Sequence, residues 1–284
     1  MKLVVGNQHS YSDVCHLTSG EILRAGNRTG GFDSDRGELR VEAGATIADV
    51  LRRIRRRGWF LPVVPGTQHA TIGGCVANDV HGKNHQAAGS FGNHVLALGL
   101  ERTDAKLALR VTPGDPLFHA TVGGLGLTGK IATVDLRLIR QAMVFKPYYF
   151  PLDYTPYWWL FRQAHCLQYQ CILPSRDVPT LLCQITQRPA VISRKIFGDI
   201  PSVGMLSFPR KGFGIAMDFF DYGPSTLRMF DKLDTVVKND PWGALYPAKT
   251  RMSREMFRHS FPRWKEFTKY VDPEFSSDFW QRVK

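Results

Sequence analysis

The sequence predicts an α+β protein in two parts. Three observations carry this. Strand and helix patterns are interspersed along the chain in a mixture that suits an antiparallel α+β layer. The stretch Leu61–Val95 is too irregular for one helix and too rich in glycine for a packed strand. The composition then shifts after residue 140, where aromatic residues crowd together. The expected organisation is a ligand-binding domain over residues 1–140, a second domain over 141–241, and a closing segment over 242–284.

Lys2-Leu3-Val4-Val5 reads as a short strand that opens into Gly6-Asn7-Gln8-His9-Ser10-Tyr11-Ser12-Asp13. A strand opening into a glycine-polar turn has the form of a backbone nest for a diphosphate. Residues 38–44 read as a strand ending at Gly44. Thr46 is placed to cap a helix running through Arg57, because Ile47, Val50, Leu51 and Ile54 fall at i, i+3, i+4 and i+7. Arg52, Arg53, Arg55, Arg56 and Arg57 take its other side. That is the pattern of a solvated face, or else of a patch for an anionic membrane surface. Gly58 ends the helix, and Trp59–Val64 reads as a strand delivering the chain to the glycine-rich stretch.

Between Leu61 and Val95 lie Gly66, Gly73, Gly74, Ala77, Gly82, Gly89 and Gly92, interleaved with His69, His81, Lys83, Asn84, His85, Asn93 and His94. Polar side chains on such a backbone suit ligand contact, because loops on a rigid scaffold carry function. Leu96–Arg102 and Leu107–Thr112 read as strands, and Asp115–Ala120 as a short helix. Thr121–Ile131 is a second glycine-rich turn, with four glycines between Gly123 and Gly129, and Ile131–Arg140 reads as a strand. Tyr148, Tyr149, Phe150, Tyr154, Tyr157, Trp158, Trp159 and Phe161 follow. Such a cluster is core by default, or a lipid or partner site where exposed. Gln168–Leu173 reads as a strand with Gln168 and Gln170 on one face. Val178–Gln187 is expected as a helix, Ile192–Phe197 and Gly214–Phe219 as strands, and Ser225–Lys238 as a helix.

The 284 residues carry a net charge of +12, with 43% hydrophobic and 22% charged residues. This is ordinary globular composition. The basic balance points to anionic partners. No nucleic-acid motif or basic-aromatic strip is present, so a phosphate-bearing ligand or peripheral membrane contact ranks above nucleic acid. Five cysteines without metal spacing or a CxxC read as buried reduced thiols. With no signal-peptide pattern and no apolar run of about 20 residues, a reducing cytoplasmic location with only peripheral membrane contact is expected.

Pro65-Gly66-Thr67, Thr71-Ile72-Gly73-Gly74, the run Asn78-Asp79-Val80-His81-Gly82-Lys83-Asn84-His85 and the run Ala88-Gly89-Ser90-Phe91-Gly92-Asn93-His94-Val95 resemble the flavin-binding core of the vanillyl-alcohol-oxidase-type (PCMH-type) FAD-linked oxidoreductases. Within that family they are most similar to the branch that oxidises polyprenylphosphoryl pentoses for cell-wall synthesis. The resemblance is densest at 59–140 and extends, more weakly, to the C-terminal segment. It implies FAD as cofactor, held by Gly6, Asn7, His9, Ser10, Tyr11, Pro65, Gly66, Thr67, Thr71, Gly73, Gly74, Asn78, His81, Gly82, Ile131 and Tyr246. It implies Lys249, His81 and Lys195 as catalytic groups, Lys83, Gln168, Gln170 and Lys195 as substrate contacts, and no metal. His9 stands where the family's sugar-lactone and alditol oxidases have a histidine bonded to the flavin, and where the pentose-oxidising branch has arginine.

Members of the family have a further strand-helix-strand unit before the first strand, and a longer substrate domain. The resemblance therefore implies a chain incomplete at its N-terminus and shortened in its cap. The function implied is oxidation of a secondary hydroxyl of a sugar or sugar-polyprenyl-phosphate to a ketone, with a short-chain reductase as partner. The alternatives are a flavin-binding remnant without turnover, an activity like that of the sugar-lactone or alditol oxidases, and a basic anion-binding module without cofactor.

Overall fold

The computed structural model describes residues 1–10, 12–141, 150–154, 166–247 and 251–284. Its first part is built on a five-stranded antiparallel sheet. The strands are β3 (Thr29–Asp33), β4 (Glu38–Glu42), β6 (Val95–Glu101), β7 (Leu109–Val111) and β8 (Lys130–Arg137), in the order β3-β4-β8-β6-β7. The side chains alternate as such a sheet requires. On β4, Leu39 and Val41 are buried, while Arg40 faces out and pairs with Asp135 of β8 at 2.6 Å.

Helix α1 (Ile47–Ile54) covers this sheet. Thr46 and Asp49 form a reciprocal capping box, and Ile47, Val50, Leu51 and Ile54 are the buried stripe. A 3₁₀ turn over Arg55–Arg57 extends α1, and Gly58 stops it at a left-handed φ of 75°. The expected strand Trp59–Val64 is shorter than the sequence implied. Only β5 (Trp59–Phe60) pairs, with β9 (Ile139–Arg140). Beyond it Pro62 and Pro65 have no N–H to donate, so the chain runs on extended and buried without a ladder. The expected strand Ile131–Arg140 likewise breaks at Leu138, whose N–H turns to Gly37 O at 2.7 Å.

The small parallel pair β1 (Lys2–Val4) and β2 (Glu21–Leu23) stands apart from the main sheet. Sequence periodicity showed neither β2 nor β3, which are short and largely exposed.

The cap sheet is antiparallel, in the order β11-β12-β10-β13. Its strands are β10 (Cys166–Leu173), β11 (Val191–Phe197), β12 (Gly212–Phe220) and β13 (Ala244–Leu245). A long helix, Pro224–Asn239, packs on it through Thr226, Met229, Phe230, Leu233 and Val237. Phe230 meets Tyr169 and Phe219 at ring distances of 5.1 and 5.5 Å. The helix expected over Val178–Gln187 ends at Cys183, where the β-branched Ile185 and Thr186 and then Pro189 follow.

The C-terminal segment ties the two parts together. β13 extends the cap sheet, while Arg282 clamps Asp13 at 2.9 Å and Asp278 accepts from Thr18. Of the five free cysteines, Cys183 is exposed and the other four are buried. Among the described residues no helix is long and apolar enough to cross a membrane, and no cluster of His, Cys, Asp or Glu could hold a metal ion.

Candidate functional site

Two turns meet to form one cleft. Gly6–Ser10 leave β1 and lie against the turn at Gly66–Gly74, so closely that a Cβ on Gly6 would stand 2.2 Å from Thr71 Oγ1. Asn7 Nδ2 donates to His69 O at 2.8 Å. The Gly66–Gly74 turn is held from behind: Gly73 N donates to Ala43 O at 2.7 Å and Ile72 N to Ala45 O at 2.8 Å. Thr71 caps the helix Ile72–Ala77, its hydroxyl accepting from Gly74 N. At the other end of the turn, Asp153 accepts from Thr67 Oγ1 at 2.7 Å and from Gln68 N at 2.9 Å.

Of the cofactor residues expected from sequence, Gly6, Asn7, His9, Ser10, Pro65, Gly66, Thr67, Thr71, Gly73, Gly74, Asn78, Ile131 and Tyr246 line this cleft. His81 and Gly82 do not. They stand just beyond Val80, which does line it. Tyr11 and Lys249 lie outside the described residues, as do most of the aromatic residues noted between Tyr148 and Phe161.

The cleft suits a dinucleotide. Its walls include the apolar Val4, Ala43, Cys75, Ala77, Leu125 and Ile131, with polar backbone at the Gly6–Ser10 end. Gln8 takes a left-handed φ of 54°, a conformation that glycine adopts more readily. A Cβ at Gly74 would meet only Thr71 Oγ1, at 3.0 Å, so this glycine leaves room on the ligand side.

Past Val80 the chain enters a basic cluster. Lys195 Nζ, from β11, lies 2.8 Å from His81 Nδ1. The ammonium has only protons to give, so the ring accepts at Nδ1 and carries its own proton on Nε2. Nε2 faces the Gln170 amide at 3.4 Å, a contact that needs the amide oxygen turned to the ring. The other glutamine, Gln168, instead donates to Asp218 at 3.0 Å.

Phe197 stands edge-on to His81 at 4.9 Å and to His85 at 4.8 Å. Burial, and then Lys195, pushes the His81 imidazole well below its usual range. Burial brings Lys195 down to about 8, with Lys83 adding to the effect. His85, fully buried, is lowered to about 4 by burial and then by Lys195. Burial also lowers Lys83, although its side chain is largely exposed. The two imidazoles are thus neutral at pH 7, and the positive charge rests on the lysines.

Sequence reasoning missed the residue that binds this loop to the cap. Asp79 is fully buried. It accepts from Gly92 N at 2.8 Å, Ser90 Oγ at 2.9 Å and, from the segment between β11 and β12, Ser207 Oγ at 2.5 Å. Burial raises its pKa against these three donors. Along the same seam a Cβ on Gly198 would come within 2.9 Å of Gln86 Cα, and Asn93 Nδ2 donates to Pro201 O. His81 and Lys195 of β11 are held together along this seam.

Comparison with known proteins agrees with the cleft. The profile of the FAD binding domain family matches residues 2–108. Decaprenylphosphoryl-β-D-ribose oxidase of Mycolicibacterium smegmatis is 39% identical over 138 residues, 46% of this chain and 30% of that protein. An uncharacterised protein of Streptomyces coelicolor is 52% identical over 81 residues, 28% of this chain and 22% of its own length. L-gulonolactone oxidase of Mus musculus is 30% identical over 143 residues, 49% of this chain and 32% of the enzyme. The matched stretches cover a third or less of each relative's own length.

Proposed function

This chain carries a PCMH-type FAD-binding domain, and from that premise we propose that it acts as an FAD-dependent oxidoreductase converting a secondary hydroxyl of a sugar, or of a sugar-polyprenyl-phosphate, to a ketone. One observation carries the proposal. The cleft is lined as far as Val80, and the next residue along the chain, His81, pairs with Lys195 at 2.8 Å. When bound, the isoalloxazine supplies the hydride acceptor. The chain's own work is then to hold the sugar and manage its proton and charge. Lys83 and Lys195 suit a phosphate as point charges. Gln170 is proposed for the sugar hydroxyls, and His81, with Lys195 on its Nδ1, as a catalytic group. Lys249 is proposed as a third cation, and this role is preferred over that of a base because Lys83 and Lys195 already mark an anionic ligand.

Anaerobic titration of the yellow protein with free sugars, aldonolactones and sugar phosphates tests this. Bleaching by a sugar or sugar phosphate is the expected result. A colourless protein with no affinity for flavin sinks the proposal. A yellow protein that no member of the panel bleaches is the remnant without turnover.

The similarity to L-gulonolactone oxidase, together with His9 at the cleft, favours a second reading, in which lactones bleach the protein. A flavin bonded to His9 would accompany it. The expectation here is a plain diphosphate contact, because the more similar relative, at 39% identity against 30%, belongs to the branch that binds FAD without a bond. Acid precipitation should therefore leave the flavin in the supernatant, and a yellow pellet would establish attachment.

A further inference from the structure

We propose that Arg24 supplies the cation for the flavin diphosphate, a role that sequence motifs do not assign to it. This rests on the reading that the chain binds FAD with its diphosphate against the turn Gly6–Ser10. β1 and β2 are parallel, with Val4 opposite Leu23, and Val5 N donates to Leu23 O at 3.0 Å. Their carboxyl ends therefore open on the same edge, the place where ligands collect on parallel strands. β1 runs out into Gly6–Ser10. β2 runs out into Arg24 and Ala25, and Ala25 lines the same cleft.

Arg24 Nη1 donates to Gly6 O at 2.8 Å, which fixes the guanidinium against the turn. The rest of its planar fork of N–H donors is left over, and that fork matches phosphate oxygens. The side chain is exposed, and among the described residues no carboxylate forms an ion pair with it.

The cleft needs such a group. A diphosphate is anionic, and hydrogen bonds to an anion are strongest from charged donors. Among the described residues that line the cleft there is no lysine and no arginine. His9 is held below its usual pKa by burial and by His69, so its imidazole is neutral at pH 7. Arg24 does not itself line the cleft, but its guanidinium is bonded directly to Gly6, which does, so it reaches from β2 to a turn whose own side chains carry no positive charge.

The test compares FAD with riboflavin, which lacks the diphosphate, by quenching of flavin fluorescence on the apo-protein. The wild-type chain should bind FAD at least about tenfold more tightly than riboflavin. Arg24→Gln should lose most of that preference, weakening FAD by about tenfold while leaving riboflavin affinity unchanged, and should flatten the salt dependence of FAD binding. Arg24→Lys, which keeps the charge without the fork, should fall between. Unchanged riboflavin binding shows that the variants are folded. A wild-type chain indifferent to the diphosphate would overturn the location of the diphosphate and Arg24's role with it. A wild-type chain that prefers FAD, beside an Arg24→Gln variant that prefers it equally, would overturn Arg24's role alone.

Discussion

Gly74→Leu is expected to purify with almost no flavin while remaining folded. The glycines of the cleft divide by what stands behind them. A Cβ on Gly6 would strike Thr71 Oγ1 at 2.2 Å, and one on Gly73 would lie 2.8 Å from Ala43 Cβ and 3.1 Å from Ala43 O. Substitution at either position separates two packed segments, and loss of flavin would then report only damage to the fold. Gly74 differs. It lines the cleft, it has an ordinary helical backbone, and a Cβ there meets only the Thr71 hydroxyl, at 3.0 Å. A leucine side chain continues from that Cβ into the space the ligand would fill. Occupied volume in a close-packed site is costly to share, so the effect should fall on binding rather than folding. The measurement is flavin absorbance per protein, with the melting temperature of the apo form as control. Full flavin content in this variant would mean that the cofactor lies elsewhere.

The parts of this protein that were legible in its sequence are those whose signal is local. Helix α1 declared itself by the spacing of Ile47, Val50, Leu51 and Ile54 and by Thr46 before them, and the structure uses each of these residues as the spacing implied. β10 was visible in its alternation, and its two glutamines do share a face. The motif strings also named residues that come together from distant places. Gly6 reaches the Thr71–Gly74 turn, and His81 meets Lys195 across 114 positions of sequence. Resemblance supplied the residues, and the fold supplied the Lys195–His81 contact, because no periodicity encodes it.

What stayed hidden has a physical reason in each case. The run Trp59–Val64 has the composition of a strand, but Pro62 denies it a ladder. β2 and β3 are short and exposed, and their pairing comes from partners chosen by the fold. Asp79 looks like one more polar residue in a loop. Only the fold brings Ser207, 128 positions away, to its carboxylate. Arg24 belongs to no motif, and its place is set by the parallel pairing of two three-residue strands.

Lys195→Met is expected to make the protein more heat-stable at neutral pH while nearly abolishing substrate-driven flavin reduction. Burial, and secondarily Lys83, lowers the Lys195 ammonium from 10.5 to about 8. In the unfolded chain the amine titrates near its ordinary value. Between pH 8 and 10.5 the unfolded chain therefore binds more protons than the folded one, and stability rises with pH through that window. Below pH 8 the folded protein bears the whole cost of a buried charge, about 3 kcal/mol at roughly 1.4 kcal/mol per pH unit. Methionine fits the stem without the charge. It also deprives His81 Nδ1 of its donor at 2.8 Å, which returns on the order of 1 kcal/mol of the gain. The net should raise the melting temperature by about 2–4 °C at pH 7, an advantage that fades as pH approaches 10. FAD content should not change, because Lys195 is not among the residues lining the flavin cleft. Anaerobic reduction by the substrate that bleaches the wild-type protein should slow by about a hundredfold, equivalent to about 2.7 kcal/mol of transition-state stabilisation. A variant that melts lower at pH 7 and is reduced at the wild-type rate would show that Lys195 holds the fold together and leaves the chemistry to other groups.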